Sequence, residues 1–263
     1  MADTHKERQP LGSPGPEALV RAAQRLSTAP LRKRFYKEVA VGAAGVGFAV
    51  MLDGRQAKTP GGHGLAVSSH VLAEALAAEW AAQGTTLDPV TMPLTRLVNS
   101  ALDGVAREMA AARAEIVKFA GSDLICYRAG EPASLAAAQA LAWDPILDFV
   151  HSEFGARFVL GQGIVFTAQP ARAVAAVSGV VDGYDDAVAL AALNAVTTLT
   201  GSALIALALG AGFFDTRVAW AAAHVDEDFQ WRLWGADDEA LARRDARWVE
   251  MRAAAQMLLL SRL

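Results

Sequence analysis

The chain has 263 residues, enough for one large domain or two small ones with a substantial core. Its 24 Lys and Arg against 28 Asp and Glu give a net charge of −4, which excludes the basic footprint of a nucleic-acid or anionic-lipid binder. Its single cysteine, Cys126, excludes an internal disulfide framework and a multi-thiolate zinc site and suits a reducing compartment.

Hydrophobic residues make up 53% and charged residues 20%, where an ordinary soluble domain has roughly 45–50% and about 25%. That apolar excess needs a location: a large core, a membrane span, or surface kept for a partner. Residues 1–30 carry three prolines in the first sixteen positions and bury little, so the composition predicts an N-terminal extension that stays mobile or forms one short helix at 17–26. Asp3, Glu7 and Glu17 set it apart from an acid-poor matrix presequence. It reads as a bacterial N-terminal extension.

From residue 31 to 102 the signals are those of a small β-rich domain. Phe35, Tyr36, Val39 and Val41 precede a glycine-rich turn at Gly42 to Gly47, and Phe48, Val50 and Leu52 alternate up to Asp53-Gly54. That dipeptide is a strong hairpin signal, because both residues tolerate positive φ. A second arm at 55–59 and a short strand at 65–67 complete the unit. Ser68 or Ser69 caps a helix to about Gln83, since Val71, Leu72, Ala75, Leu76 and Trp80 recur at helical spacing. Asp88-Pro89 and Met92-Pro93 set an extended passage before helix signals resume at Leu94.

Residues 103–263 read as an all-helical C-terminal domain, with helices over about 104–120, 132–153, 171–180, 185–199, 201–211, 215–233 and 237–260; the stretch 161–169 is a strand or an extended loop. The expected fold class is therefore α+β, a small β-rich N-terminal domain followed by a larger helical one. Residues 187–214 contain no ionisable side chain and exceed the roughly 20 residues that span a bilayer. Asn194, Thr197, Thr198, Thr200, Gly201 and Ser202 interrupt the run at its middle, which favours two buried helices over a span. A membrane anchor at 187–214 is the alternative.

Signatures of catalysis are sparse. Gly45-x-Gly47 and Gly161-x-Gly163 do not complete a dinucleotide fingerprint, and neither a Walker motif nor a G-x-S-x-G elbow is present. His63, His70 and His151 have no partner at ligand spacing. His224 with Asp226 and Asp228 could supply a metal or acid/base site, but the three do not share a helix face. Cys126, among Leu124, Ile125 and Tyr127, reads as a small buried hydrophobe. No cofactor or metal is expected.

The stretch 225–235 is more informative. Asp226, Glu227 and Asp228 precede Phe229, Trp231 and Trp234 on one predicted helix, with Glu227 a turn before Trp231 and the two indoles on a shared face. Such a stripe suits gripping a partner, since Trp supplies contact area and a carboxylate anchors a basic or amide group. Burial of the indoles with a solvated acidic face is the competing reading. Trp80 and Trp143 read as packing residues that join the two domains.

Arg34-Phe35-Tyr36-Lys37, Leu52-Asp-Gly-Arg-Gln-Ala-Lys-Thr-Pro60, Glu79-Trp80, Asp88 to Arg96 with Asn99, Asp123 to Arg128, Trp143-Asp-Pro145, Thr198 to Ser202, and Asp226 to Gln230 with Trp234-Gly235 occur in order along nearly the whole chain. In these stretches the sequence resembles the Atp12 family, assembly chaperones of the F1 part of ATP synthase. The resemblance implies a non-enzymatic protein of the bacterial cytoplasm (the mitochondrial matrix in eukaryotic relatives). It would bind the unassembled F1 α subunit and shield the surface that later meets the β subunit. The family's functionally important acid falls by motif within Asp226 to Asp228; the family more often has Glu at the first of these, where this chain has Asp226.

Overall fold

The computed structural model describes residues 31–45 and 47–262. The expected N-terminal extension, mobile or with a short helix at 17–26, lies outside the described residues. The N-terminal part is built around β3 (Gly47–Leu52), which pairs antiparallel with β2 (Val39–Ala44) along its length. On its other edge β3 pairs with β4 (Arg55–Gln56) and β5 (Ala66–Val67). Asp53 and Gly54 sit at φ 47° and 76°, the two-residue hairpin turn read from the sequence. The Asp53 carboxylate accepts from the backbone N–H groups of Lys37 and Glu38 at 3.0 and 2.8 Å, and these bonds hold its pKa below the ordinary aspartate value.

The turn expected at Gly42 to Gly47 is shorter than predicted. β2 continues through Gly42, Ala43 and Ala44 to pair with Ala49, Phe48 and Gly47, leaving a tight turn at Gly45. Gly42 lies against the Met51 side chain, and this cross-strand packing overrides a weak strand propensity. The arm predicted at 55–59 is strand only at Arg55–Gln56, followed by a single bridge from Lys58 to Gly64.

Helix α1 (His70–Ala81) starts where the Ser69 hydroxyl accepts from Leu72 N–H at 3.2 Å, and it buries Leu72, Ala73 and Leu76. A short ladder of β1 (Arg32–Lys33) with β6 (Thr86–Leu87) follows. Helix α2 (Pro93–Asp103) has no side-chain cap of its own. Glu79 of α1 serves instead: its carboxylate accepts from Leu94 and Thr95 N–H, both at 2.8 Å. That contact gives the Glu79-Trp80 motif a physical role. α2 packs on α1 and on two helices of the larger part, α6 (Ala187–Thr200) and α10 (Asp238–Leu260).

The larger part contains α3 (Met109–Ala120), α4 (Ala133–Phe154), α5 (Ala171–Asp182), α6, α7 (Ala203–Gly210), α8 (Thr216–Ala223), α9 (Val225–Trp234) and α10, with one parallel pairing of β7 (Tyr127–Arg128) and β8 (Gly161–Gln162). Two helix readings are corrected here, at 104–120 and at 215–233. The helix predicted at 104–120 divides into a 3-10 turn at Val105–Arg107 and α3. The stretch 161–169, read as a strand or an extended loop, is strand at Gly161–Gln162 and loop beyond it.

The helix predicted at 215–233 breaks at His224, whose φ and ψ are −121° and 20°. His224 Nδ1 takes the Trp220 carbonyl at 2.7 Å while its backbone N–H turns to Ala221, so the regular i to i−4 bond is lost at that residue.

The uncharged run divides as the sequence reading preferred. α6 ends at Gly201, in the left-handed region at φ 69°, and the Ser202 hydroxyl starts α7 by accepting from Ile205 N–H at 3.0 Å. Every residue of α7 is buried, packed among α3, α4, α6, α8 and α10. No helix among the described residues is long and apolar enough to cross a membrane. A Cβ added at Gly201 would meet only the Leu124 Cβ, at 4.0 Å. Gly201→Ala is therefore expected to cost about 1 kcal/mol, from backbone strain alone; urea unfolding checks it, and a loss several times larger would mean that the site is sterically closed.

Candidate functional site

Helix α9 places Asp226, Glu227 and Asp228 in its first turn, where the unsatisfied N–H groups favour negative charge. None of the three is an isolated carboxylate. Asp226 accepts from Gln139 Nε2 at 2.7 Å, and the buried Gln139 accepts in turn from Ala129 N–H at 2.8 Å, which ties α9 to α4 and to the β7 loop. Asp228 pairs with Arg244 of α10, and Glu227 lies 3.6 Å from the same guanidinium. Arg244 also covers the Trp231 ring at 4.6 Å, as Arg232 covers Phe229 at 5.7 Å. Trp231 and Phe229 are half-buried under these cations, whereas Trp234 is 83% exposed.

Beside the acids lies an apolar groove of about 840 Å³, lined by residues that include Leu141, Pro145, Phe213, Val218, Trp231 and Asp228. Leu141 on its rim is 82% exposed. The sequence reading missed Leu141, Phe213 and Val218. One signal was available for Leu141: the buried stripe of α4 runs through Gln139, Trp143, Ile146 and Val150, and Leu141 falls off that stripe. Phe213 stacks on Phe149 at 4.3 Å, a contact between segments far apart in sequence that no local pattern announces.

The two tryptophans expected to join the domains sit in different surroundings. Trp143 is 1% exposed; its Nε1 donates to the Ala222 carbonyl at 2.7 Å and its ring carries the Arg128 guanidinium at 5.0 Å, both contacts within the helical part. Trp80 packs against Tyr36 at 5.7 Å and accepts the Tyr36 hydroxyl on its carbonyl at 2.7 Å, within the β-rich part.

His224 is 6% exposed and lies against the Trp220 ring at 3.9 Å. Burial pushes its pKa below the ordinary histidine value, so the neutral ring donates from Nδ1 to Trp220 and Nε2 faces Glu227 at 3.9 Å. Among the described residues no group of three or more His, Cys, Asp or Glu side chains is placed to hold a metal ion. Cys126 is fully buried, and burial with the nearby Asp123 pushes its thiol pKa up, away from thiolate chemistry.

Asp123 connects two separated motifs. Its carboxylate accepts from Ile125 N–H at 3.3 Å and from Leu204 N–H at 3.0 Å, and Leu124 N–H donates to the Gly201 carbonyl at 3.3 Å. The stretches 123–128 and 198–202 thus form one buried junction that starts α7.

An apolar groove with exposed Leu141, Phe213 and Val218 and with Asp228 and Arg232 at its edge offers contact area of the kind a protein partner uses. Comparison with known proteins agrees. Residues 33–151 match the family model described as ATP12 chaperone protein. Atp12 from Paracoccus denitrificans is 36% identical, with a TM-score of 0.83 over 88% of this chain and 98% of that one. An Asp-to-Lys mutant of the same protein gives 35% identity and the same TM-score. A protein of Agrobacterium tumefaciens proposed to be a chaperone is 44% identical, with a TM-score of 0.85 over 94% of this chain and 92% of that one. The likeness runs the length of both parts, and the class it defines is that of chaperones. The chain belongs to the ATP12 chaperone family.

Proposed function

We propose that this protein binds the unassembled α subunit of the F1 sector of ATP synthase in the bacterial cytoplasm, and covers the apolar surface that the α subunit later presents to the β subunit. The observation that carries the reading is the groove beside α9. Exposed Leu141, Phe213 and Val218 offer apolar contact there, Asp228 and Arg232 set its polar border, and Trp234 stands exposed at the end of the same helix. A large subunit interface of this kind buries upward of about 2,000 Å², so the groove serves as an anchor within a wider contact. Polar borders give specificity while leaving affinity modest enough for release. The sequence carries no Walker motif, which supports passive holding without ATP hydrolysis, with release by competition from the β subunit.

Capture of purified F1 α subunit by the immobilised full-length protein tests this. Leu141→Glu and Trp234→Glu change side chains that are 82% and 83% exposed and leave the core intact, so each is expected to weaken capture about tenfold with unchanged thermal melting. Failure of the native protein to capture the α subunit removes the client assignment. Equal capture by the native protein and both variants removes the groove.

A further inference from the structure

The N-terminal part holds a second and larger cleft, of about 1190 Å³, which the groove beside α9 does not explain. Its floor is buried, with Tyr36, Leu52, Met92 and Thr95 at 3–6% exposure, and its rim carries Phe35 at 63% and Val90 at 74%. Most of its lining comes from the separated stretches 35–36, 52–60, 80 and 88–99, the same stretches that carry the family resemblance in this half of the chain.

The walls are braced from behind. The Arg34 guanidinium donates to the carbonyls of Tyr36, Lys37, Ala81 and Gln83. Gln83 in turn bonds Thr91 Oγ1 at 3.0 Å and Asp88 N–H at 2.8 Å. A cleft held open by such bonds spends little ordering entropy on binding.

Three polar atoms on lining residues have no hydrogen-bond partner: Trp80 Nε1, a donor; Asn99 Oδ1, an acceptor; and Thr95 Oγ1, which can do either, on a side chain 3% exposed. Native folds rarely leave such atoms unmade, and donor and acceptor together are the types that the amide groups of a polypeptide complement. Charge narrows the choice further. Arg32, Arg55 and Lys58 line the cleft and pair with no carboxylate among the described residues. The lining carries two carboxylates, Asp53 and Asp88, each accepting from backbone N–H groups, so its cations outnumber its anions.

We propose that this cleft is a second client-binding site, taking an extended segment of a protein client in which large apolar side chains are flanked by carboxylates. The proposal rests on the chaperone assignment but not on the identity of the client. Apolar side chains would occupy the space between Phe35 and Val90, and the flanking carboxylates would meet Arg32, Arg55 and Lys58.

Fluorescence anisotropy with the full-length protein tests this, using a fluorescein-labelled nonapeptide that alternates Glu with Leu and Phe, and the same peptide with Lys at every Glu. The Glu peptide is expected to bind about tenfold more tightly than the Lys peptide. Val90→Asp and Arg55→Glu, both at exposed positions, are each expected to weaken it about fivefold or more. Arg172→Glu, an exposed charge change on α5 away from the cleft, is expected to leave it unaltered. Equal binding of the two peptides, absence of binding by both, or indifference to Val90→Asp and Arg55→Glu overturns the proposal. The same protein preparation assayed for F1 α subunit capture separates the two readings: Glu-peptide binding without α capture removes the α assignment and keeps the cleft, and the reverse pattern removes the cleft alone.

Discussion

Replacing Trp143 with alanine is expected to cost about 4 kcal/mol of folding free energy, a large share of the roughly 5–15 kcal/mol available to a domain. The indole is 1% exposed and fills the space between α4 and the end of α8. Truncation removes its apolar contact area, leaves the Ala222 carbonyl without its 2.7 Å donor, and takes away the ring over which the half-buried Arg128 guanidinium sits at 5.0 Å. The loss should also reach function, because Ala222 lines the groove beside α9. Trp143→Phe keeps most of the apolar burial and should lose about half as much. Urea unfolding followed by circular dichroism measures both; a loss below about 1 kcal/mol for the alanine variant would show that the site collapses without cost.

The second large effect is at Asp123. Asp123→Ala should cost about 3 kcal/mol at pH 7, because the N–H groups of Ile125 and Leu204 are buried and lose a charged acceptor. Desolvation by complete burial pushes the Asp123 pKa up to about 6 despite hydrogen bonds from Ser202, Leu204, Ile125 and Ala203 that lower it. A carboxyl whose pKa is higher folded than unfolded takes up its proton in the folded state first. Its contribution to stability is therefore full below the unfolded value of 3.8 and is lost as pH rises through about 6.

His224 acts in the opposite sense over the same range, since burial lowers its pKa and the unfolded state takes the proton first. The native protein must therefore be compared with Asp123→Asn, which lacks only the carboxyl titration. The stability gap between them should widen by about 1 kcal/mol in favour of the native protein from pH 7 to pH 5. A gap that narrows would show that the folded carboxyl is held below its ordinary value.

Several local features were readable in the residues themselves. The Asp53-Gly54 hairpin, the Ser69 start of α1 and the division of 187–214 at Thr200-Gly201-Ser202 all rest on short-range chemistry: positive φ, a hydroxyl acceptor three residues before an N–H, and polar groups that a single apolar helix would strand. The break at His224 was not readable, because it depends on a side chain capturing a main-chain carbonyl that helical periodicity assigns elsewhere. The acidic run illustrates the same limit. Its three carboxylates were visible as a cluster, but their engagement by Gln139 and Arg244 involves partners 87 and 16 residues away along the chain.

The apolar excess now has its main location, and the division of labour follows from it. By itself the sequence determined the two-part α+β order, the hairpin, the Ser69 start of α1 and the family, all of which depend on periodicity, caps and ordered motifs within a few residues of one another. Only the tertiary structure decided which apolar residues became core and which became surface. α7 vanishes wholly into the helical packing, while Leu141, Trp234, Phe35 and Val90 stay in solvent around two clefts. The physical reason is that burial depends on what lies across from a side chain, and the neighbours that cover α7 or leave Leu141 bare come from helices and loops remote in sequence.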